Sequence, residues 1–181
     1  VRDIVYISTD KACKPVNVYG MCKSISEKMY QEFSTHVNPD ELKVTMVRYG
    51  NVLESTGSVI PFFKKLLESG KITLPITHKD MTRFMLTLNH SVDLIEHAYY
   101  HKDSHGCIVV PIMDSIKMTD LAYVLGEHYG INVDLDYVGI RPGEKIHEDM
   151  ISVEESLRTN TDNGKFYMIT PNKISDVPWS Y

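Results

Sequence analysis

Two residues, Tyr19 and Lys23, set the chemical question within the stretch STDKACKPVNVYGMCK, Ser8 to Lys23. A tyrosine gives up its proton only near about pH 10, so unaided it is a poor base at neutrality. Spaced i, i+4 on a helix, the two side chains share one face. The lysine ammonium then favours the phenolate. A phenol tuned in this way takes a proton from a hydroxyl group while hydride leaves the same carbon. The spacing alone also arises by chance on amphipathic helices, so its weight comes from what surrounds it.

The elements that must hold these residues are legible in the patterning. DIVYIST carries Ile4, Val5, Tyr6 and Ile7 in a row, a run apolar on both faces that suits a buried strand of a parallel sheet. Pro15 puts a loop at KPVNV. From Tyr19 the period turns helical: Cys22, Ile25, Met29 and Phe33 recur at spacings of three and four, with polar Ser24, Glu27 and Lys28 between them. Asn38 and Pro39 end that region, and KVTMVRYGNV is a second buried strand running into a loop. GSVIPFFKKLLESG predicts a helix with Pro61 in its first turn and Gly70 as its stop. KITLPI is a short extended piece. Asn89 is the expected cap of a helix carrying Val92, Ile95, Ala98 and Tyr99. Thr119 is the expected cap of one carrying Leu121, Ala122, Val124 and Leu125, closed by Gly130. GCIVVPI and the alternating NVDLDYV are further strands. RPGEKIHEDM opens as a turn and leads towards a short helix, and from Thr159 to Tyr181 the periodicity is weak. Strands alternating with helices predict an α/β protein with a mostly parallel sheet.

A strand ending in STDK, a loop with Pro15 and Asn17, then Tyr19 and Lys23, together resemble the extended short-chain dehydrogenase/reductase family. More narrowly, STDKAxxPxNxYGxxK is similar to nucleotide-sugar 4,6-dehydratases of the polysaccharide-biosynthesis type, above all those that act on UDP-N-acetylglucosamine and invert C5. The resemblance implies a catalytic set of Thr9, Asp10, Lys11, Tyr19 and Lys23, with Ser8 structural. Related retaining dehydratases carry Asp-Glu where this chain has Asp10 and Lys11. The implied chemistry is oxidation at C4 to a ketone, which acidifies the C5 proton. Lys11 is then the expected base at C5 and Asp10 the expected acid at the C6 hydroxyl, with burial and mutual contact tuning both. Tyr19 matches the soluble type, whereas some membrane-linked relatives carry methionine there.

Further matches follow in order. VRYGNV resembles the family segment beside the nicotinamide and the substrate diphosphate, which implies that Tyr19, Lys23, Tyr49 and Asn51 bind the cofactor and that Asn51 also meets the substrate. GSVIPFF resembles the segment around the uridine of UDP-sugar members, which implicates Ser58 and Val59. In MTRFMLTLNHSVDLI, Arg83 faces either the diphosphate or Asp80. In RPGEKIHEDM, Arg141 is the expected partner of the diphosphate through its fork of donors, and Glu144 of ribose hydroxyls.

Composition bounds the rest. A formal net charge of −5 disfavours nucleic acid as a partner, and no apolar run is long enough to span a membrane. Cys13, Cys22 and Cys107 lack CxxC spacing, and the histidines lack HExxH, so free thiols in a reducing cytoplasm and no metal are expected. The resemblance implies NADP, or NAD, as cofactor and a UDP-sugar as substrate, yet no Gly-rich phosphate turn follows any strand here. Residue 1 is Val, and DVPWSY resembles a point short of the family's usual end. The expectation is therefore the C-terminal part of a Rossmann-like sheet: residues 1–56 the second half of the core, residues 57–181 mainly a small α/β substrate-binding region with interleaved core elements. Such a piece would leave DIVYIST as a sheet edge, bind dinucleotide poorly alone, and form a homo-oligomer when full length. Alternative readings are a UDP-sugar 4-epimerase, a retaining UDP-glucose 4,6-dehydratase, or a non-catalytic UDP-sugar-binding remnant or partner subunit.

Overall fold

The structure, a computed structural model, describes residues 1–162 and 164–172. The DVPWSY match lies outside the described residues. In chain order the elements are β1 (Asp3–Thr9), a 3-10 turn (Asp10–Ala12), α1 (Val18–Ser34), β2 (Lys43–Tyr49), β3 (Asn51–Val52), α2 (Val59–Glu68), β4 (Thr73–Ile76), β5 (Thr82–Leu86), α3 (Leu88–Tyr100), a second 3-10 turn (Lys102–Ser104), β6 (Ile108–Pro111), β7 (Ser115–Lys117), α4 (Met118–His128), β8 (Asp134–Tyr137), α5 (Val153–Ser156), β9 (Thr159–Asp162) and β10 (Phe166–Ile169). They fall into two compact units, one of residues 1–50, 88–112 and the described residues from Asp149 onward, the other of residues 51–87 and 113–148.

The first unit is an α/β layer of the Rossmann-like kind. Its sheet has the order β1-β2-β6-β10-β9. β1 runs parallel to β2 from Asp3 opposite Lys43 to Thr9 opposite Tyr49, and β2 runs parallel to β6. The hairpin of β9 and β10 closes the other side antiparallel. Weak periodicity hid that hairpin from the sequence reading, because TNTD is polar and too short to show alternation. β1, read from its apolar run as a buried strand, is the sheet edge among the described residues. Alternation along the strands separates the faces. Val47 packs with Leu94 and Ala98 of α3, whereas Arg48 reaches Glu27 of α1. The carbonyls that end α3 are capped by the Lys43 ammonium, which donates to Ala98 at 3.2 Å, Tyr99 at 2.6 Å and His101 at 2.7 Å.

Two helices differ from the pattern expected of them. On α1 the stripe Cys22, Ile25, Met29 and Phe33 is exposed, and the buried positions are Gly20, Glu27, Gln31 and Ser34. Gln31 donates to the Gly106 carbonyl and Glu27 meets a buried arginine, so this polar face has partners and can be covered. On α3 the helix begins before Asn89, at Leu88; Ser91, Leu94 and Ala98 are buried, while Val92 and Tyr99 are exposed.

The second unit holds the sheet β3-β5-β7 and the parallel pair β4-β8. Its core joins Ile60, Phe63 and Leu67 of α2 to Leu121, Ala122 and Leu125 of α4, with Leu74 and Ile76 of β4. Gly70 at φ +81° ends the α2 turn as predicted. Lys117, not Thr119, sits at the α4 cap, and RPGEKIHEDM forms turns without a helix.

Candidate active site

The chemistry-bearing turn starts where β1 runs out. Thr9 caps the 3-10 turn: its hydroxyl accepts from the Lys11 backbone N–H at 3.4 Å and donates to Asp10 Oδ1 at 2.9 Å. Lys11 Nζ reaches the same oxygen at 2.9 Å. Asp10 is fully buried, while the Lys11 side chain keeps 29% of its surface in solvent. Among the described residues, Asp10 Oδ2 and Ser8 Oγ are buried without a hydrogen-bond partner. A carboxylate oxygen left in this way is available to a group that the turn itself does not supply.

The next residues bring α1 onto this turn. Asn17 caps the helix, accepting from the Gly20 N–H at 2.8 Å. A β-carbon on Gly20 would lie 2.2 Å from the Lys11 carbonyl oxygen, so only glycine allows the helix to sit this close. Lys23 Nζ donates to the Ile7 carbonyl of β1 at 2.8 Å. Tyr49, opposite Thr9 in the sheet register, feels the same groups. Burial pushes its phenol up, Lys23 pulls it down, and Tyr19 pushes it up further. Thr9, Asp10, Lys11, Lys23 and Tyr49 thus gather at the ends of β1 and β2, with Tyr19 half exposed at the start of α1.

Behind the turn lies a network that sequence reasoning missed. Arg48 is 1% exposed, and its Nε and Nη2 donate to the two oxygens of Glu27 at 3.0 and 2.6 Å. Nη2 and Nη1 also donate to Glu155 at 2.8 and 3.0 Å, and Nη1 to the Met150 carbonyl at 2.7 Å. Burial alone would raise the Glu155 carboxyl, but the hydrogen bonds and charge of Arg48 outweigh it and hold it at about 2. Glu155 also closes a capping box with Ser152. Cys13 Sγ lies 3.8 Å from Glu155 Oε2, and Lys14 Nζ lies 3.2 Å from Asp149. The turn that carries Asp10 and Lys11 is therefore backed by residues 149–155. Glu27 was legible only as a polar residue between apolar ones on α1.

A second site lies wholly within the second unit. A cavity of about 210 Å³ is lined by Asn51, Ser58, Val59, Arg83 and Glu144, together with Thr77 and three methionines, Met81, Met85 and Met118. Five of the six expected substrate residues, from four separate segments, meet there. Arg141 is exposed and does not line it; its backbone N–H donates to Glu144 at 3.3 Å. The Arg83 guanidinium turns to the carbonyls of Thr82 and Ile146 rather than to Asp80. Ser58 Oγ, at the start of α2, is buried without a hydrogen-bond partner among the described residues. Met81 and Met85 lie in the segment quoted for Arg83, but nothing in their type or spacing marks them as cavity wall, and Met118 lies in no quoted segment.

The profile of the family described as polysaccharide biosynthesis protein matches residues 1–171. The chain belongs to this family. It is 40% identical over 172 residues to the UDP-N-acetylglucosamine 4,6-dehydratase (inverting) of Campylobacter jejuni, covering 95% of this chain and 50% of that protein. It is 37% identical to the UDP-glucose 4-epimerase of Rickettsia typhi, covering 93% of this chain and 49% of that protein. The crystal structure of DesIV, a dTDP-glucose 4,6-dehydratase from Streptomyces venezuelae with NAD and TYD bound, matches with a TM-score of 0.69 at 18% identity, over 84% of this chain and 52% of that one. The chain thus spans about half the length of the curated relatives that it matches. Within the family, the shared fold accounts for the Rossmann-like sheet of the first unit.

Proposed function

We propose that this family member carries the catalytic turn and the sugar-nucleotide cavity of a 4,6-dehydratase acting on UDP-N-acetylglucosamine with inversion at C5. The observation that carries the reading is the contact between Lys11 and the fully buried Asp10, at 2.9 Å, on the strand whose Ile7 carbonyl also anchors Lys23. The 40% identity to an inverting dehydratase supports it.

A nicotinamide dinucleotide, NADP or NAD, supplies the hydride acceptor at C4 and the hydride donor at C6 when bound. Within the first unit, Tyr19, Lys23 and Tyr49 would hold its nicotinamide-ribose end, with Lys23 anchored on the Ile7 carbonyl and Tyr49 opposite Thr9. The phosphate end needs a Gly-rich turn that these 181 residues do not contain. Tyr19 takes the proton of the C4 hydroxyl, and the Lys23 ammonium stabilises the charge on its oxygen. Transfer of one proton from Lys11 to Asp10 along their hydrogen bond turns an ion pair into an amine and a carboxylic acid. The amine of Lys11 removes the C5 proton, and the acid of Asp10 protonates the C6 hydroxyl as it leaves as water. Both groups then stand in their original charge states. A proton returned to C5 on the face opposite Lys11 inverts that centre, and one returned on the same face retains it. In the cavity, Asn51, Ser58, Arg83 and Glu144 present donors and acceptors to the uridine diphosphate, and Val59 packs on it; Arg141 serves the diphosphate from the exposed turn.

The test is product analysis in deuterium oxide with UDP-N-acetylglucosamine and NADP. The reading requires a 4-keto-6-deoxy sugar carrying deuterium at C5 with inverted configuration. The 37% identity to an epimerase favours a second reading, a UDP-sugar 4-epimerase, whose product keeps its C6 hydroxyl. Retained C5 indicates the retaining type. UDP binding without turnover, even with cofactor, indicates a binding module that works beside another polypeptide. Calorimetry with NADP alone checks the expected weak dinucleotide binding. The same reading puts the protein in the cytoplasm as a homo-oligomer, with the exposed Cys22, Ile25, Met29 and Phe33 stripe of α1 as its contact face.

A further inference from the structure

We propose that Tyr6, backed by Tyr30, is a positioning residue for Lys23, an inference that rests on reading Lys23 as part of the catalytic set. The Lys23 ammonium sits 4.9 Å from the centre of the Tyr6 ring. The Tyr6 ring is itself stacked on Tyr30, with centroids 4.7 Å apart and planes inclined by 29°. Tyr6 immediately precedes Ile7, whose carbonyl accepts from Lys23 at 2.8 Å. One strand thus supplies both a carbonyl and an aromatic face to the same amine from adjacent residues.

The helix supplies the amine and the backing ring. Lys23 and Tyr30 are separated by two helical turns on α1, so both side chains leave the same face towards β1. A lysine stem has four rotatable bonds, and one hydrogen bond alone leaves its ammonium free to pivot. The π face adds a second restraint from another direction and favours a cation over it. A hydrogen bond to Ile7 and a ring contact still leave N–H donors of the ammonium for the Tyr19 oxygen or a ribose hydroxyl. Tyr6 lies in none of the motifs singled out in the sequence; there it reads only as one apolar member of a buried strand.

The test measures the acylation rate of Lys23 in the isolated chain by an N-hydroxysuccinimide ester, followed by peptide mapping. Exposed Lys28 on the same helix is the internal reference. Tyr6→Leu is expected to raise the Lys23 rate about two- to fivefold relative to Lys28, the range set by a partly exposed cation–π contact. Tyr6→Phe, which keeps the ring, is expected to leave it at the wild-type value, and Tyr30→Ala to shift it in the same direction as Tyr6→Leu. The proposal fails if Leu and Phe variants behave alike, or if Lys28 accelerates in step with Lys23, since that marks general loosening of α1. Neither cofactor nor sugar enters the assay, so a chain without dehydratase activity can still support or overturn the role of Tyr6.

Discussion

The Asp10 turn and the methionine-lined cavity, the two sites of the proposed function, are built on opposite principles. Around the turn, most polar groups satisfy one another: Thr9 and Lys11 share one oxygen of Asp10, and Arg48 ties Glu27 to Glu155 out of water, while Asp10 Oδ2 and Ser8 Oγ stay unpartnered among the described residues. Around the cavity, methionine and aliphatic side chains form much of the walls, and Ser58 Oγ has no partner among the described residues. In the first region, polarity holds the fold in one arrangement. In the second, polarity is reserved for whatever enters, and the soft thioether walls adapt to it. The contrast teaches that a polar substitution should register as stability in one place and as affinity in the other.

The largest break should come at Arg48. Arg48→Ala leaves Glu27 and Glu155 buried without their cation, and should cost about 3–5 kcal/mol of stability, read from the urea unfolding midpoint. The pH profile sharpens this. Glu155 has its ordinary carboxyl value of 4.5 when unfolded and about 2 when folded. Its contribution is therefore complete above about 4.5 and is lost as pH falls from there through about 2. Glu155→Gln should remove that part of the acid dependence, and an unchanged slope between those values would show that Arg48 is not what holds the carboxyl down.

Gly20→Ala comes next. Its β-carbon must displace the Lys11 carbonyl, at a cost of about 1–3 kcal/mol in thermal unfolding, and the turn should shift with it. On the cavity side, Ser58→Ala should weaken UDP binding about fivefold in calorimetry, the size of one neutral hydrogen bond, with stability changed by less than about 0.5 kcal/mol. A loss of stability there would collapse the contrast between the two regions. The smallest effect belongs to Lys14→Ala. Its exposed pair with Asp149 should be worth less than about 1 kcal/mol, although it touches the same turn.

Much of the site was legible because its signals are local. Ser8 to Lys23 contains a strand end, a Pro loop and a helix start, so Thr9, Asp10, Lys11 and Lys23 fall together over a few residues of chain. The cavity was legible in parts: Asn51, Ser58, Val59, Arg83 and Glu144 were each singled out in a motif, whereas Met81 and Met85 passed unremarked in the Arg83 segment and Met118 lay in none. Arg141 belonged to the same motif as Glu144, yet the turn at Pro142 and Gly143 leaves it exposed and off the cavity wall.

By itself the sequence determined the α/β class, the parallel pairing expected of DIVYIST and KVTMVRY, and the helical spacing of Tyr19 and Lys23. These follow from period and from turn chemistry within short windows of chain. Only the tertiary structure decided which face of α1 is buried. Periodicity shows that a helix has two faces, and hydrophobicity would have chosen Cys22, Ile25, Met29 and Phe33. The fold buries Glu27 instead, because Arg48 from β2 donates to both its oxygens and is itself held by Glu155, more than a hundred residues further along the chain. The ring of Tyr6 under Lys23 was decided in the same way, by a strand and a helix whose partnership no local window contains.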